Sequence, residues 1–157
     1  MSPIEIAFAV TLTLVGSIAG FYINRGLENL HLPKIGRTRR QAISGDWEGV
    51  YHQQANEKRE AQEIVFRLSL KAGSRAIKGR LEIRDNTDYE FDIEGAFYHE
   101  RYLRLNYTAA GSSAASIDFG AMFLVLADRP DTMSGLLAGY GSLSEGLING
   151  TVDLRRV

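Results

Sequence analysis

From Ser44 to the C-terminus, apolar residues recur at every second position, and that period constrains the fold more than any other feature of the chain. In QEIVFRLSLKA, Ile64, Phe66, Leu68 and Leu70 share one face, while Val65, Arg67, Ser69 and Lys71 share the other. RAIKGRLEIRD repeats the pattern with Ile77, Gly79, Leu81 and Ile83 against Lys78, Arg80, Glu82 and Arg84. YEFDIEGAF follows with Tyr89, Phe91 and Ile93 against Glu90, Asp92 and Glu94. Short polar segments separate these runs, which is the spacing of antiparallel hairpins. RYLRLNYT, SIDFGAMFLVLA, MSGLLAGY and GLINGTVDLRR continue the series, with DRPDT as a strong turn. Together with GDWEGVY at its start, the series predicts eight strands and leaves no length for a helix.

An eight-stranded antiparallel meander with one apolar face per strand can close on itself and so remove its edges, which favours a closed barrel over a sandwich. The expected fold is an all-β, lipocalin-like (calycin-type) barrel over residues 42–157. Glycines at 49, 79, 95, 120, 135, 139 and 150 fall inside strands, where they relieve crowding at bends or admit a ligand. An eight-stranded interior is just wide enough to be filled by side chains or to hold one small ligand.

Parity also selects candidate site residues. If the single tryptophan, Trp47, faces inward, then Tyr51 and Gln53 do as well. If Leu103 faces inward, Arg101 and Tyr107 share its side. A guanidinium beside tyrosines suits a ligand with phosphates and stackable bases, so Trp47, Tyr51, Arg101 and Tyr107 are the expected ligand-binding residues. The competing reading makes Trp47 a plug at the barrel end, sends Arg101 to solvent and leaves the tyrosines as core. Met122, Leu124 and Leu126, beside Phe119, Phe123 and Val125, are a candidate apolar patch for an oligomer or partner contact.

The N-terminal part of the chain has a different character. Residues 1–24 carry one charged side chain, Glu5, and the apolar run Ile4–Ile23 would span about 30 Å as a helix. No Lys or Arg precedes the run, whereas Arg25, Lys34, Arg37, Arg39 and Arg40 follow it. That asymmetry favours an uncleaved transmembrane helix over a secretory signal. It places the N-terminus outside, residues 25–41 as a basic juxtamembrane linker on anionic headgroups, and the barrel in the cytoplasm of a bacterium. Ala9, Thr13, Gly16 and Gly20 line one helical stripe of small residues, which favours helix–helix assembly in lipid.

Charge and motifs exclude several function classes. From Ala42 onward acidic residues outnumber basic ones, a poor footprint for long nucleic acid. There are no cysteines, and the three histidines have no metal-ligand spacing. No nucleophile elbow, P-loop or dinucleotide fingerprint occurs, so no catalytic residue, metal or cofactor is expected.

An apolar span, a basic neck and an eight-stranded barrel opening with GDWEGVY resemble the membrane-anchored β-barrel effectors of CBASS anti-phage defence. The resemblance implies that the barrel binds a cyclic oligonucleotide and that homo-oligomeric assembly of the membrane segments then disrupts the inner membrane. The chain departs from the usual pattern of two transmembrane helices, since it has one sufficiently long apolar run. Two alternatives stand beside this reading: a membrane-tethered lipocalin-like carrier with a hollow interior, and a structural barrel that binds a partner through an apolar exterior patch.

Overall fold

A computed structural model describes residues 34–56, 59–85, 87–99, 101–110, 118–141 and 146–157. The apolar run 4–23, with Ala9, Thr13, Gly16 and Gly20, lies outside the described residues. Residues Pro33–Val157 form one compact unit. Its elements are a short helix α1 (Arg37–Ile43) followed by β1 (Gly45–Gln53), β2 (Gln62–Ala72), β3 (Ile77–Asp85), β4 (Thr87–Phe97), β5 (Tyr102–Ala109), β6 (Phe119–Leu126), β7 (Thr132–Gly141) and β8 (Gly146–Arg156).

Each strand pairs antiparallel with the next, and β8 closes on β1 through pairs such as Tyr51–Val152. The eight-stranded closed barrel is therefore the observed architecture. One row of paired residues runs from Gln53 through Gly150, Leu137, Met122, Leu105, Gly95 and Ile77 to Ala72. It returns to the first strand two residues past the Gly45–Leu70 pair, at position 43, which is a stagger of ten residues. For eight strands that stagger implies a tilt of about 40°, the usual range for a barrel whose interior is packed with side chains.

The alternating residues point as the period requires. Trp47, Leu68, Leu81, Ile93, Leu105, Met122, Leu124, Leu137 and Val152 are buried in a single cluster fed by all eight strands. Met122, Leu124 and Leu126 belong to this interior, so the expected exterior patch keeps only Phe119, Phe123 and Val125 from its original membership.

The helix corrects the expectation that no helix forms. Residues 37–41, read as the end of a basic juxtamembrane linker, and Ala42–Ile43, read as the start of the barrel, form α1 at one end of the barrel. Seven residues are too few to hold a helix alone, so tertiary contacts must do it. Ile35 and Ile43 are buried in the core cluster. Trp47 Nε1 donates to the Ile43 carbonyl at 3.0 Å. The Arg156 guanidinium donates to the carbonyls of Gln41, Ala42 and Ser44 at 3.2, 2.9 and 2.6 Å. These carbonyls at the end of the helix have no partner within it, and a cation there has the favourable sign. Arg156 also lies 5.7 Å from the Trp47 ring centroid, a cation–π arrangement that ties β8, β1 and α1 together.

Candidate functional site

Of the four sequence-predicted ligand residues, the barrel brings only two together. Trp47 sits at the α1 end, fully buried, with its indole N–H committed to the Ile43 carbonyl of α1, the position of a plug. Arg101 immediately precedes β5; its carbonyl still accepts from the Leu126 N–H at 2.9 Å, but its side chain is exposed. Its Nε donates to the Leu126 carbonyl at 2.9 Å and its Nη1 pairs with Asp128 at 2.7 Å, on the outside of the same end. The expected inward guanidinium is thus corrected: the parity of Leu103 does not extend to a residue outside the strand.

Tyr51 and Tyr107 do face inward, toward the end of the barrel away from α1. Tyr107 packs edge-on against Phe91 with ring centroids 5.6 Å apart. The hydroxyls of both tyrosines, and Gln53 Nε2, are buried without a hydrogen-bond partner among the described residues. Gln53 is tied from its other atom, its Oε1 accepting from Gln62 Nε2 at 3.0 Å. Burial pushes the Tyr51 hydroxyl up to about 12. Tyr107 is raised further, first by burial and then by the nearby Tyr51 and Asp118. Neither hydroxyl ionises at neutral pH, so both act as neutral donors and acceptors in a largely apolar barrel.

The interior row Tyr107–Gly120–Gly139–Ile148 explains two of the strand glycines. A Cβ at Gly120 or Gly139 would come within 2.4 or 2.1 Å of the Tyr107 hydroxyl. The glycine pair leaves room for the ring, and the sheet is correspondingly thin where Tyr107 lies beneath it.

Outside this thin region the ladder builds a groove of about 620 Å³. Its floor is the row Asn106–Ala121–Ala138–Asn149, small in the middle and carboxamide at both ends. On one side stands the row Thr108–Phe119–Tyr140–Leu147, and on the other Arg104 begins the row through Phe123 and Leu136. These rows are four residues apart, about 13 Å at the rise of a strand. The Phe119 and Tyr140 rings lie 6.2 Å apart and 18° from parallel, and Phe119 and Leu147 are 51% and 79% exposed. Arg104 Nε donates to Asn106 Oδ1 at 3.1 Å, and its guanidinium lies 6.0 Å from the Phe123 ring centroid. Arg104 has no carboxylate partner among the described residues. A guanidinium without a carboxylate partner, two carboxamides and an aromatic pair with one exposed ring are groups that take phosphate, base edges and base faces respectively.

Parity reasoning missed Arg104, Asn106, Tyr140 and Asn149 because it searched the interior. One signal pointed outward: FGAMFLVL and TMSGLLAGYG carry no charged residue on either face, unlike every other strand. Among the described residues there is no cluster of potential metal ligands and no helix long and apolar enough to cross a membrane.

Comparison with known proteins bears on the fold alone. No family model and no curated protein matches the sequence. A solved structure of a redesigned β-barrel is similar, with a TM-score of 0.57 and 14% identity, covering 75% of this chain and 94% of that one.

Proposed function

We propose that this chain is a ligand-sensing barrel of lipocalin-like type carried on an apolar N-terminal anchor, and that its β5–β8 groove binds a cyclic oligonucleotide. The carrying observation is that Arg104, Asn106 and Asn149 line one groove with the stacked Phe119–Tyr140 pair, whose Phe119 ring is exposed. In this reading a base lies against the aromatic pair, the carboxamides take its polar edge, and Arg104 forks onto a phosphate. Tyr107 supports the floor from beneath. In this reading the groove binds its ligand without transforming it.

The resemblance to CBASS membrane effectors supplies the ligand class and the output. Ligand capture in the cytoplasm would promote packing of the segments bearing Ala9, Thr13, Gly16 and Gly20, and the assembled segments would disrupt the inner membrane. The test is thermal stabilisation of the full chain in detergent across a panel of cyclic di- and trinucleotides, with linear dinucleotides and fatty acids as controls. Stabilisation by one cyclic species supports the reading. Stabilisation by fatty acids alone replaces it with the carrier.

A second reading has its own observation. Phe123 and Leu136, 52% and 58% exposed, continue the uncharged face of β6 and β7 beyond the groove. Exposed contiguous apolar residues on a closed barrel favour a partner-binding role. Retention of a partner by the parent and not by Phe123→Asp, with no nucleotide response in either, would favour it.

A further inference from the structure

Charge is unevenly distributed along the barrel axis. The α1 end carries Lys34, Arg37 and Arg40, together with Arg75 of the β2–β3 turn and Arg129 of the β6–β7 turn. None of these five has an ion-pair partner among the described residues. Asp128, one of the acids at this end, is paired with Arg101. Among the side chains described at the opposite end the balance reverses, with Glu60, Glu63 and Asp118 against Arg59. The polarity is therefore a property of the folded barrel and extends well beyond the basic sequence that precedes it.

Two further observations specify the kind of partner. Tyr98 and Tyr102, in and beside the β4–β5 turn, are 59% and 55% exposed at the same end. Tyrosine is the side chain that settles where an apolar phase meets water, because its ring and hydroxyl prefer opposite sides of that boundary. The cations, moreover, are spread over α1 and two separate turns and do not converge on one point. A spread of unpaired cations with amphipathic rings among them matches an extended anionic surface better than a single soluble anion.

We propose that the α1 end of the barrel is a docking surface for an anionic lipid bilayer. The surface belongs to the barrel itself and does not depend on whether residues 4–23 cross the membrane. Docking this way turns the opposite end of the barrel, with the Tyr51 and Tyr107 hydroxyls, away from the bilayer. Each Lys or Arg held near an anionic bilayer surface strengthens binding about fivefold, and the attraction is screened by salt.

Residues 34–157 contain the closed barrel, its core and α1, and are the material for the test. They are sedimented with vesicles of phosphatidylcholine alone or with about one-third phosphatidylglycerol added. Binding to the anionic vesicles, release by high salt and little binding to the neutral ones are expected. Arg37 and Arg129 are exposed, so Arg37→Glu with Arg129→Glu should keep the parent's melting temperature while lowering vesicle binding at least 25-fold, about fivefold for each lost cation. A barrel that stays in the supernatant with anionic vesicles overturns the proposal. Equal binding to neutral vesicles, or by the doubly reversed variant, overturns it too.

Discussion

Replacing Arg156 by alanine removes the clamp that holds α1 to the barrel. The side chain makes three hydrogen bonds to the end of the helix, at 2.9, 3.2 and 2.6 Å, and stacks on Trp47. The two part-buried bonds, to Ala42 and Ser44, are charge-assisted and contribute about 1.5 kcal/mol each at the low end of the range. The third bond is exposed and adds little, and the cation–π contact adds about 0.5–1 kcal/mol. The expected loss is therefore about 3–4 kcal/mol. For a unit of this size that lowers the melting temperature by roughly 10–15 °C. Lysine at this position keeps the charge but not the planar fork, and should lose about half as much. Trp47 is the only tryptophan, so its fluorescence reports this contact directly. Urea and thermal unfolding followed by that signal should give the stated loss. If α1 undocks locally, the emission shifts to the red before the far-ultraviolet signal of the strands is lost. Arg156→Ala with parental stability and parental emission would refute the claim that these contacts hold the helix.

Three further outcomes follow from the buried tyrosines and the glycine pair. Tyr51 ionises near pH 12 in the folded state against about 10 when unfolded, so between those values the folded state holds the extra proton. Stability should be intact below pH 10 and then fall by about 1.4 kcal/mol per pH unit for each such tyrosine; urea unfolding at pH 9, 10 and 11 checks this, and Tyr51→Phe should flatten the slope. Tyr107→Phe removes an unpartnered hydroxyl while keeping the ring, and should raise stability by about 1 kcal/mol; a loss of that size would mean the hydroxyl is paired. Gly139→Ala forces a Cβ within 2.1 Å of the Tyr107 hydroxyl and 2.5 Å of the Phe119 carbonyl. It should cost about 1–3 kcal/mol, while Gly36→Ala, which meets nothing within 4 Å, should change stability by less than about 0.5 kcal/mol.

The barrel was legible because parity is a local property. Leu68 and Arg67 are assigned to opposite faces by their neighbours alone, and hairpin connections leave each strand little choice of partner. The inward placement of Tyr51, Gln53 and Tyr107 follows from the same rule. Arg101 shares the parity of Leu103, but the rule holds only within a strand, and β5 begins one residue later. Helix α1 was hidden for a different reason. RTRRQAI offers two apolar residues among charge, and what completes it is a guanidinium 114 positions away from Ala42 in sequence. The groove needs still more. Asn106 and Asn149 become the two ends of one row only when three ladders fix their registers, so no window of sequence contains the site.

The account centres on the β5–β8 groove, and calorimetric titration of the parent and of Arg104→Ala with whichever cyclic oligonucleotide stabilises the parent tests it most directly. Arg104 is exposed and has no carboxylate partner among the described residues, so its loss should leave the melting temperature within about 2 °C of the parent. A charged hydrogen bond to phosphate contributes about 1.5–3 kcal/mol, so the account predicts a dissociation constant weakened by roughly 10- to 150-fold. Unchanged affinity in Arg104→Ala, or a parent barrel that binds no cyclic oligonucleotide, would contradict it.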